Sequence, residues 1–403
     1  MVYLEYVNEG GMLLVINPGS SSVKAMAYDE SELEKALNSV SIEGIGTGQA
    51  TLLPGSVFDE NTIQHVDAPD YITAVKLIRE WLEDEMGESV ISVIGYRIVH
   101  GGERYKQPTK IDSEVIEYLR SITSFAPNHM PGAIDCVEAF RAVYPEVAHV
   151  ACFDTAFFSD MPKVNQTLPI PKSISEEGVR RYGFHGLSYE YLLESFQDHE
   201  GEVAARGRVI LAHMGNGVSL TACHNGQPVD TTMGFTPVSG VPMSTRTGDI
   251  EPGVIFYLMR EKGMAVEEIS DMVTKKSGLL GISDDTSDMY HLLQHQHENE
   301  SSALAVEYFC YEIKKQIGAY IAALGGVDSI IFAGGIGERS DEIRARVLEG
   351  LGFIGVVIDP ERNKRNARLI SGDDSSVGVH VIPTHEDIII AKQAMALYEG
   401  ENR

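Results

Sequence analysis

Several short stretches of this chain gather the residue types that handle phosphate and carboxylate groups. The turn Asn17-Pro18-Gly19-Ser20-Ser21-Ser22 offers backbone N–H groups, hydroxyls and an amide, and Lys24 follows on the next strand. Small donors in a turn plus one cation suit a phosphate, although an ordinary hairpin turn with a surface lysine fits the same residues. The run YRIVHGGERY (96–105) sets Arg97 inside an apolar strand, where an unpaired guanidinium is costly to bury. Such an arginine needs an anion, either a ligand or a buried Asp or Glu. Asp154 lies at an aromatic-rich strand end within VACFDTAFF (150–158), and His185 lies between glycines in RRYGFHG (180–186). Each could be a site residue or a satisfied polar group of the core.

Further along, TPVSGVPMSTRTGDIEPG (236–253) is dense in Gly, Pro, Ser and Thr and carries Arg246. Loops held by a scaffold are where catalytic groups collect, and the structural alternative is an arginine bound to Asp249 or Glu251. AGGIGERS (333–340) reads as a glycine loop between a strand and a helix. Ser340 stands where the dinucleotide fingerprint needs its last glycine, and the chain contains no GxxxxGK[ST], so Rossmann and Walker readings fail. A nucleotide could still approach the backbone there. GIGTGQ (44–49) has no helix after it and reads as a plain loop. Glu386 and Asp387 begin a C-terminal helix, as dipole-favoured carboxylates or as metal ligands. His291, His295 and His297 lie in a polar stretch and read as solvated surface.

The elements that must position these residues alternate. LLVINPGSSSVKAMAYD (13–29) is strand, turn, strand, and RVILAHMGNGVSLTACHNGQPVDTTMGF (208–235) repeats the pattern with Gly-Asn-Gly and Asn-Gly turns. Two related domains are expected. Ile134, Val137, Phe140 and Val143 recur at helical spacing between Pro131 and Pro145, and a longer helix over 302–324 stops at Gly325-Gly326. DSIIFAGGIGERS (328–340) is a buried strand running into the glycine loop, with a helix from about Asp341. Strands alternating with helices make the fold α/β.

Composition narrows the partners. A chain of 403 residues exceeds one comfortable core. Its 59 acidic against 32 basic residues give a formal net charge of −27, which repels nucleic acid and anionic membranes. An anionic small substrate therefore needs its own local cluster of cations. Cys136, Cys152, Cys223 and Cys310 show neither CxxC nor zinc spacing and read as reduced core thiols. MVYLEYVNEG lacks the charged start of a secretory signal, and no apolar run reaches the roughly 20 residues of a membrane span. A cytoplasmic location is the expectation.

Taken in order from about Met12 to Ala396, these motifs resemble the acetate kinase family, including its propionate kinase branch. The resemblance implies the two-domain architecture of sugar kinases, actin and the heat-shock chaperone ATPases, with the active site in the interdomain cleft and a homodimer. It divides the chain into 12–153 plus 387–403, and a nucleotide-binding domain over 154–386. It implies ATP/ADP and acetate as substrates, with Mg²⁺, or Mn²⁺ in its place. Asn17 and Glu386 would serve the metal, Lys24 the phosphates, Arg97 the substrate carboxylate, Asp154 the role of active-site acid, and His185 and Arg246 the transition state. The methyl pocket would be Val99, Asn128, Phe184 and Pro237, with His129 beside it. Phosphates would meet His213, Met214, Gly215, Asn216 and Gly217, and the nucleoside would meet Asp288, Met289, Tyr290, Gly335, Ile336, Gly337, Glu338 and Arg339.

Five positions depart from the family pattern: Tyr96 and Phe158 where His is common, Tyr290 where Arg is common, Arg339 where Asn is usual, and Asn128 where Leu is usual. Tyr290 and Arg339 bear on the nucleotide, and Asn128 on the acyl group, where its amide is expected to be buried and to turn toward His129 or a backbone group. The other readings are a propionate or other short-chain acyl kinase, a non-catalytic nucleotide binder, and a phosphohydrolase. Arg97, Asp154, Arg246 and Glu386 occurring together argue against the last two.

Overall fold

Residues 11–55, 62–87 and 90–402 are described by a computed structural model of the chain. The signal-sequence expectation for MVYLEYVNEG lies outside them. Among the described residues no helix is long and apolar enough to cross a membrane. The strands are β1 Met12–Pro18, β2 Ser22–Asp29, β3 Glu32–Glu43, β4 Thr51–Pro54, β5 Gln64–His65, β6 Ile91–Ile98, β7 Thr109–Lys110, β8 Ala148–Phe153, β9 Val209–Met214, β10 Val218–His224, β11 Gln227–Thr231, β12 Ser329–Ala333 and β13 Gly378–Val381. The fold is mixed α/β with two sheets.

One sheet has the order β5-β4-β3-β2-β1-β6-β8-β7 and the other β11-β10-β9-β12-β13. Both contain the same five-strand core. A first strand (β1 or β9) pairs antiparallel with the next, which pairs antiparallel with a third. On its other side the first strand pairs parallel with a strand reached by a long crossover, and that strand pairs parallel with the last. This shared order is what the two related strand-turn-strand runs lead to. The central strands read as unbroken apolar runs, because helices cover a parallel region on both faces. Leu13 to Ile16 are accordingly fully buried.

The chain forms two compact units, Met1–Ala156 with His385–Arg403, and Phe157–Thr384. These limits lie a few residues from 153/154 and 386/387, and they assign Asp154 and Glu386 to the first unit. Helix α1 (Met130–Val143) has Pro131 in its first turn and buries Ile134, Val137 and Phe140, as its spacing requires. In the second unit α2 spans Gly186–Glu200, α3 Pro252–Glu261 and α4 Glu300–Leu324, whose end is capped by left-handed Gly325.

The segment expected to be a glycine loop is instead a short helix, α5 (Gly334–Arg339), followed at once by α6 (Asp341–Leu348). Gly334 begins it at φ +74, where a Cβ would come within 2.8 Å of the Met214 backbone. Glu338 then closes the turn by accepting from Gly334 N at 2.9 Å. Only glycine meets both the angle and the space, and after it nothing prevents a helical turn.

The C-terminal helix α7 (Glu386–Asn402) belongs to the first unit and lies against β6, β1 and β8. Its approach depends on Gly95 of β6, where a Cβ would sit 2.9 Å from both Ala394 Cβ and Ile390 Cγ2. This close docking brings the first residue of α7 to the end of β6, beside Arg97.

Candidate active site

Parallel register gathers the first cluster at the carboxyl ends of its strands, the usual ligand end of an open α/β sheet. Ile16 of β1 pairs with Tyr96 of β6, and Arg97 pairs with Cys152 of β8, so Asn17, Arg97 and Asp154 leave the sheet together. Asn17 also faces Lys24 across the β1–β2 ladder. Arg97 Nη2 donates to Asp154 Oδ2 at 2.8 Å, its Nε to both Asp154 oxygens at 3.1 and 3.2 Å, and its Nη1 lies 3.0 Å from Glu386 Oε2. Burial works against the guanidinium charge, but Asp154 and Glu386 carry its pKa upward.

Of the two readings open for Arg97, a buried carboxylate partner is thus present, and it comes from two elements distant in sequence. A guanidinium has five N–H donors and these contacts engage three, so the fork can still receive a substrate carboxylate. Glu386 meets Arg97 at the start of α7, while Asp387 beside it accepts from the Tyr28 hydroxyl.

The second cluster is basic and belongs wholly to the second unit. His213 is the penultimate residue of β9, and after Met214 the residues Gly215, Asn216 and Gly217 turn the chain into β10, with Gly215 N donating to Gly217 O at 3.0 Å. His185 stands at the N-terminus of α2 with φ 60, an uncommon left-handed conformation for a residue other than glycine. Its ring stacks on that of His213 at 4.3 Å. A Cβ built on Gly217 would lie 3.1 Å from His185 Nε2, 3.2 Å from His185 Cε1 and 3.4 Å from Arg246 Nη1, so the imidazole edge and the guanidinium both border this glycine. Arg246 is held by its loop, donating to Pro237 O at 2.9 Å, and Ser244 N donates to Asn216 O at 3.3 Å. The carboxylates considered as its partners have other tasks. Asp249 accepts from Gly240 N, and Glu251 caps α3 through Gly253 N.

Two donors converging on a glycine turn suit a phosphoryl oxygen, and a carboxylate-braced arginine suits a small acid. A model of the acetokinase family matches residues 12–392. The chain belongs to the acetokinase family. It is 39% identical over 395 residues to an acetate kinase of Rhodopseudomonas palustris (strain TIE-1), covering 96% of this chain and 99% of that protein. Among solved structures, Porphyromonas gingivalis acetate kinase is 35% identical with a TM-score of 0.87, covering 96% of this chain and 99% of that one. A propionate kinase from Francisella tularensis subsp. tularensis SCHU S4 is 30% identical with a TM-score of 0.90, at the same coverages.

The remaining acetokinase positions distribute as follows. Val99, Asn128 and His129 are in the first unit, and Phe184 and Pro237, both buried, are in the second. Asn128 is exposed, so the expected burial of its amide does not occur, and His129 stands at the N-terminus of α1. Met214 and Met289 are buried core side chains, whereas Tyr290 is 73% exposed. Asp288 caps the short helix Met289–His295 by accepting from Tyr290 N at 2.8 Å. In α5, Gly335 and Arg339 are exposed, Ile336 and Glu338 half-buried and Gly337 buried. Of the other departures, Tyr96 bonds His149 Nδ1 at 2.6 Å inside the first core, and Phe158 packs in the second. His295 and His297 are exposed, as their polar surroundings suggest.

Residues 333–340 alone give no hint of what fixes α5 in place. Arg344, fully buried, donates to Gly337 O at 2.8 Å and Glu338 O at 3.1 Å, to Asn363 Oδ1 and O at 2.8 Å each, and to Asn366 Oδ1 at 2.6 Å. Burial among these neutral oxygens pulls its pKa down to about 10, still charged at neutral pH. It ties the C-terminal end of α5, where the helix dipole favours a cation, to the following segment. Arg344→Met should lower stability by about 3 kcal/mol through orphaned carbonyls and raise KM for ATP several-fold. Urea unfolding and ATP saturation check this, and an unchanged KM for ATP in the destabilised variant would remove Arg344 from nucleotide positioning.

Proposed function

We propose that this chain is an acetate kinase, moving the γ-phosphoryl group of ATP reversibly to acetate to give acetyl phosphate and ADP. Full-length membership of the acetokinase family carries the reading. The two clusters, carboxylate-braced Arg97 and the His185–Arg246 pair, supply the chemistry it needs.

Acetate ionises in the range of Asp and Glu, so at pH 7 the nucleophile needs no general base. A carboxylate oxygen forms the new bond to phosphorus as the bond to the β–γ bridging oxygen breaks, the electron pair leaves with ADP, and no proton moves. Charge is the obstacle, since two like unit charges about 3.3 Å apart repel by roughly 5 kcal/mol at an effective dielectric of 20. Arg97 fixes the acetate carboxylate, Asp154 orients Arg97, Lys24 and the glycine turn bind phosphate oxygens, and His185 and Arg246 donate to the transferring group. Among the described residues no cluster of three or more His, Cys, Asp or Glu forms a metal cage. Oxygen donors from Asn17 and Glu386 nevertheless suit Mg²⁺, which prefers one or two carboxylates plus phosphates and water. The ion would supply charge neutralisation on the nucleotide phosphates.

The test is acetate-dependent conversion of ATP, with acetyl phosphate trapped as the hydroxamate. ATP hydrolysis independent of acetate, or ATP binding without turnover, would sink the proposal. ATP should be an effective donor despite Tyr290 and Arg339, and faster turnover with pyrophosphate would show a lost nucleoside site. Propionate is the second reading, favoured by the similarity to a solved propionate kinase. A methylene is worth about 1–3 kcal/mol in such a pocket, so discrimination between the acids should be modest. Asn128→Leu should lower KM for both while leaving kcat largely intact. A collapse of kcat, or unchanged KM values, would take Asn128 out of the acyl wall.

A homodimer belongs to the same proposal. Helix α3 has no buried residue although Phe256 and Tyr257 are 54% and 50% exposed, an apolar face that a second copy would cover. The cytoplasm is the proposed location, in keeping with four buried free cysteines.

A further inference from the structure

Behind the glycine turn, each of the two stacked histidines is held by a serine hydroxyl. His213 Nδ1 lies 2.8 Å from Ser188 Oγ, which lies 2.7 Å from Thr384 Oγ1. His185 Nδ1 lies 2.8 Å from Ser219 Oγ, which lies 2.5 Å from the Tyr189 hydroxyl. Ser219 and Tyr189 are fully buried, one on β10 and the other in the first turn of α2. Burial pushes the Tyr189 phenol far above its ordinary range, so it keeps its proton at neutral pH.

Two proton orders fit this chain, because the Tyr189 hydroxyl also bonds the Thr221 side chain and the His213 backbone. A phenol and a serine hydroxyl each carry one proton. In the order that places the Tyr189 proton on the short contact to Ser219 Oγ, the serine proton is directed to His185 Nδ1. Nδ1 is then the acceptor nitrogen, and a neutral imidazole carries its proton on Nε2. Nε2 is the ring nitrogen that borders Gly217, beside Arg246 Nη1. A neutral ring also suits its neighbour, because two imidazolium rings stacked at 4.3 Å would repel.

We propose that Tyr189 and Ser219 are positioning residues that hold His185 as a neutral imidazole protonated at Nε2, giving the transferring phosphoryl group a fixed N–H donor. The inference rests on the kinase reading for its purpose, but its geometry and its spectroscopic test do not. Binding energy is not spent on choosing a tautomer, since the hydroxyl chain has selected it beforehand.

The full-length chain labelled with ¹⁵N-histidine tests this, with His185→Gln identifying the His185 signals. At about pH 7.5 the ring nitrogen shifts of the parent should show the proton on Nε2 alone. Ser219→Ala should shift those signals toward mixed tautomers and lower kcat on the order of 10²-fold, with KM for acetate and ATP within about threefold. Tyr189→Phe should move both readouts the same way by a smaller amount, and it decides the matter if Ser219→Ala does not fold. A parent protonated at Nδ1 or at both nitrogens overturns the proposal. So does a folded Ser219→Ala whose kcat stays within about twofold of the parent. A parent that makes no acyl phosphate defeats the kinase reading, while the ring signals still decide the tautomer.

Discussion

Arg246→Ala should lower kcat for acetyl phosphate formation by roughly 10³-fold or more, about 4 kcal/mol of transition-state stabilisation, with only a modest change in KM for acetate. The reason is geometric. Arg246 Nη1 lies 3.4 Å from the place a Cβ on Gly217 would take, which the His185 ring edge also borders, and its loop anchors it there through Pro237 O. A donor fixed in advance acts on charge that develops during transfer rather than on bound acetate. Steady-state kinetics with varied acetate and ATP will separate the two, and a variant keeping kcat within about tenfold of the parent would sink the assignment. Arg246→Lys keeps the charge but not the planar fork, so it should recover only a small part of the loss.

Removing Arg97 should damage both stability and acetate binding. Its guanidinium lies between Asp154, which is almost wholly buried, and Glu386 at the start of α7. Arg97→Ala leaves two carboxylates at that place without the cation that offsets them, at a cost of about 3–5 kcal/mol. It also removes a charge-assisted contact to the acetate carboxylate, which should reduce kcat/KM for acetate by about 10² or more. Urea unfolding of the intact chain and acetate saturation measure the two effects. Stability within about 1 kcal/mol of the parent would mean that the ion pairs are dispensable, and an unchanged KM for acetate would place the substrate elsewhere. With Arg97→Lys the charge between the carboxylates survives, so stability should return further than activity.

Much of this arrangement is legible in the chain because it is local. Alternating apolar residues around Asn, Pro, Gly and Ser turns mark β1–β2 and β9–β11, and the helical spacing from Ile134 to Val143 marks α1. Arg97 stands out for a related reason, as a charge inside an apolar strand needs an anion wherever the strand lies. What local pattern could not supply was which anion. Asp154 reaches Arg97 through the parallel register of β6 and β8, and Glu386 through the docking of α7 over Gly95, so both partners follow from strand pairing and helix packing across the whole length of the unit.

The same division runs through the rest of the molecule. Residue order alone marked the glycine segment after β12, but its helical form depended on Gly334 meeting the Met214 backbone and on Arg344 binding its last carbonyls. Asn128 was expected to be buried, and it is exposed, because burial depends on neighbours that its own segment does not specify. Ser219 and Tyr189 carried no signal, since an isolated serine or tyrosine in an apolar run reads as core. They become a hydroxyl chain only where β10 passes the first turn of α2. By itself the sequence determined the elements, the two related strand patterns and the residue types that handle phosphate and carboxylate, because periodicity and turn chemistry act over a few residues. Tertiary structure alone decided which charges meet, which nitrogen of His185 faces the glycine turn and which amide stays in water, because each of these depends on distances between segments far apart in the chain.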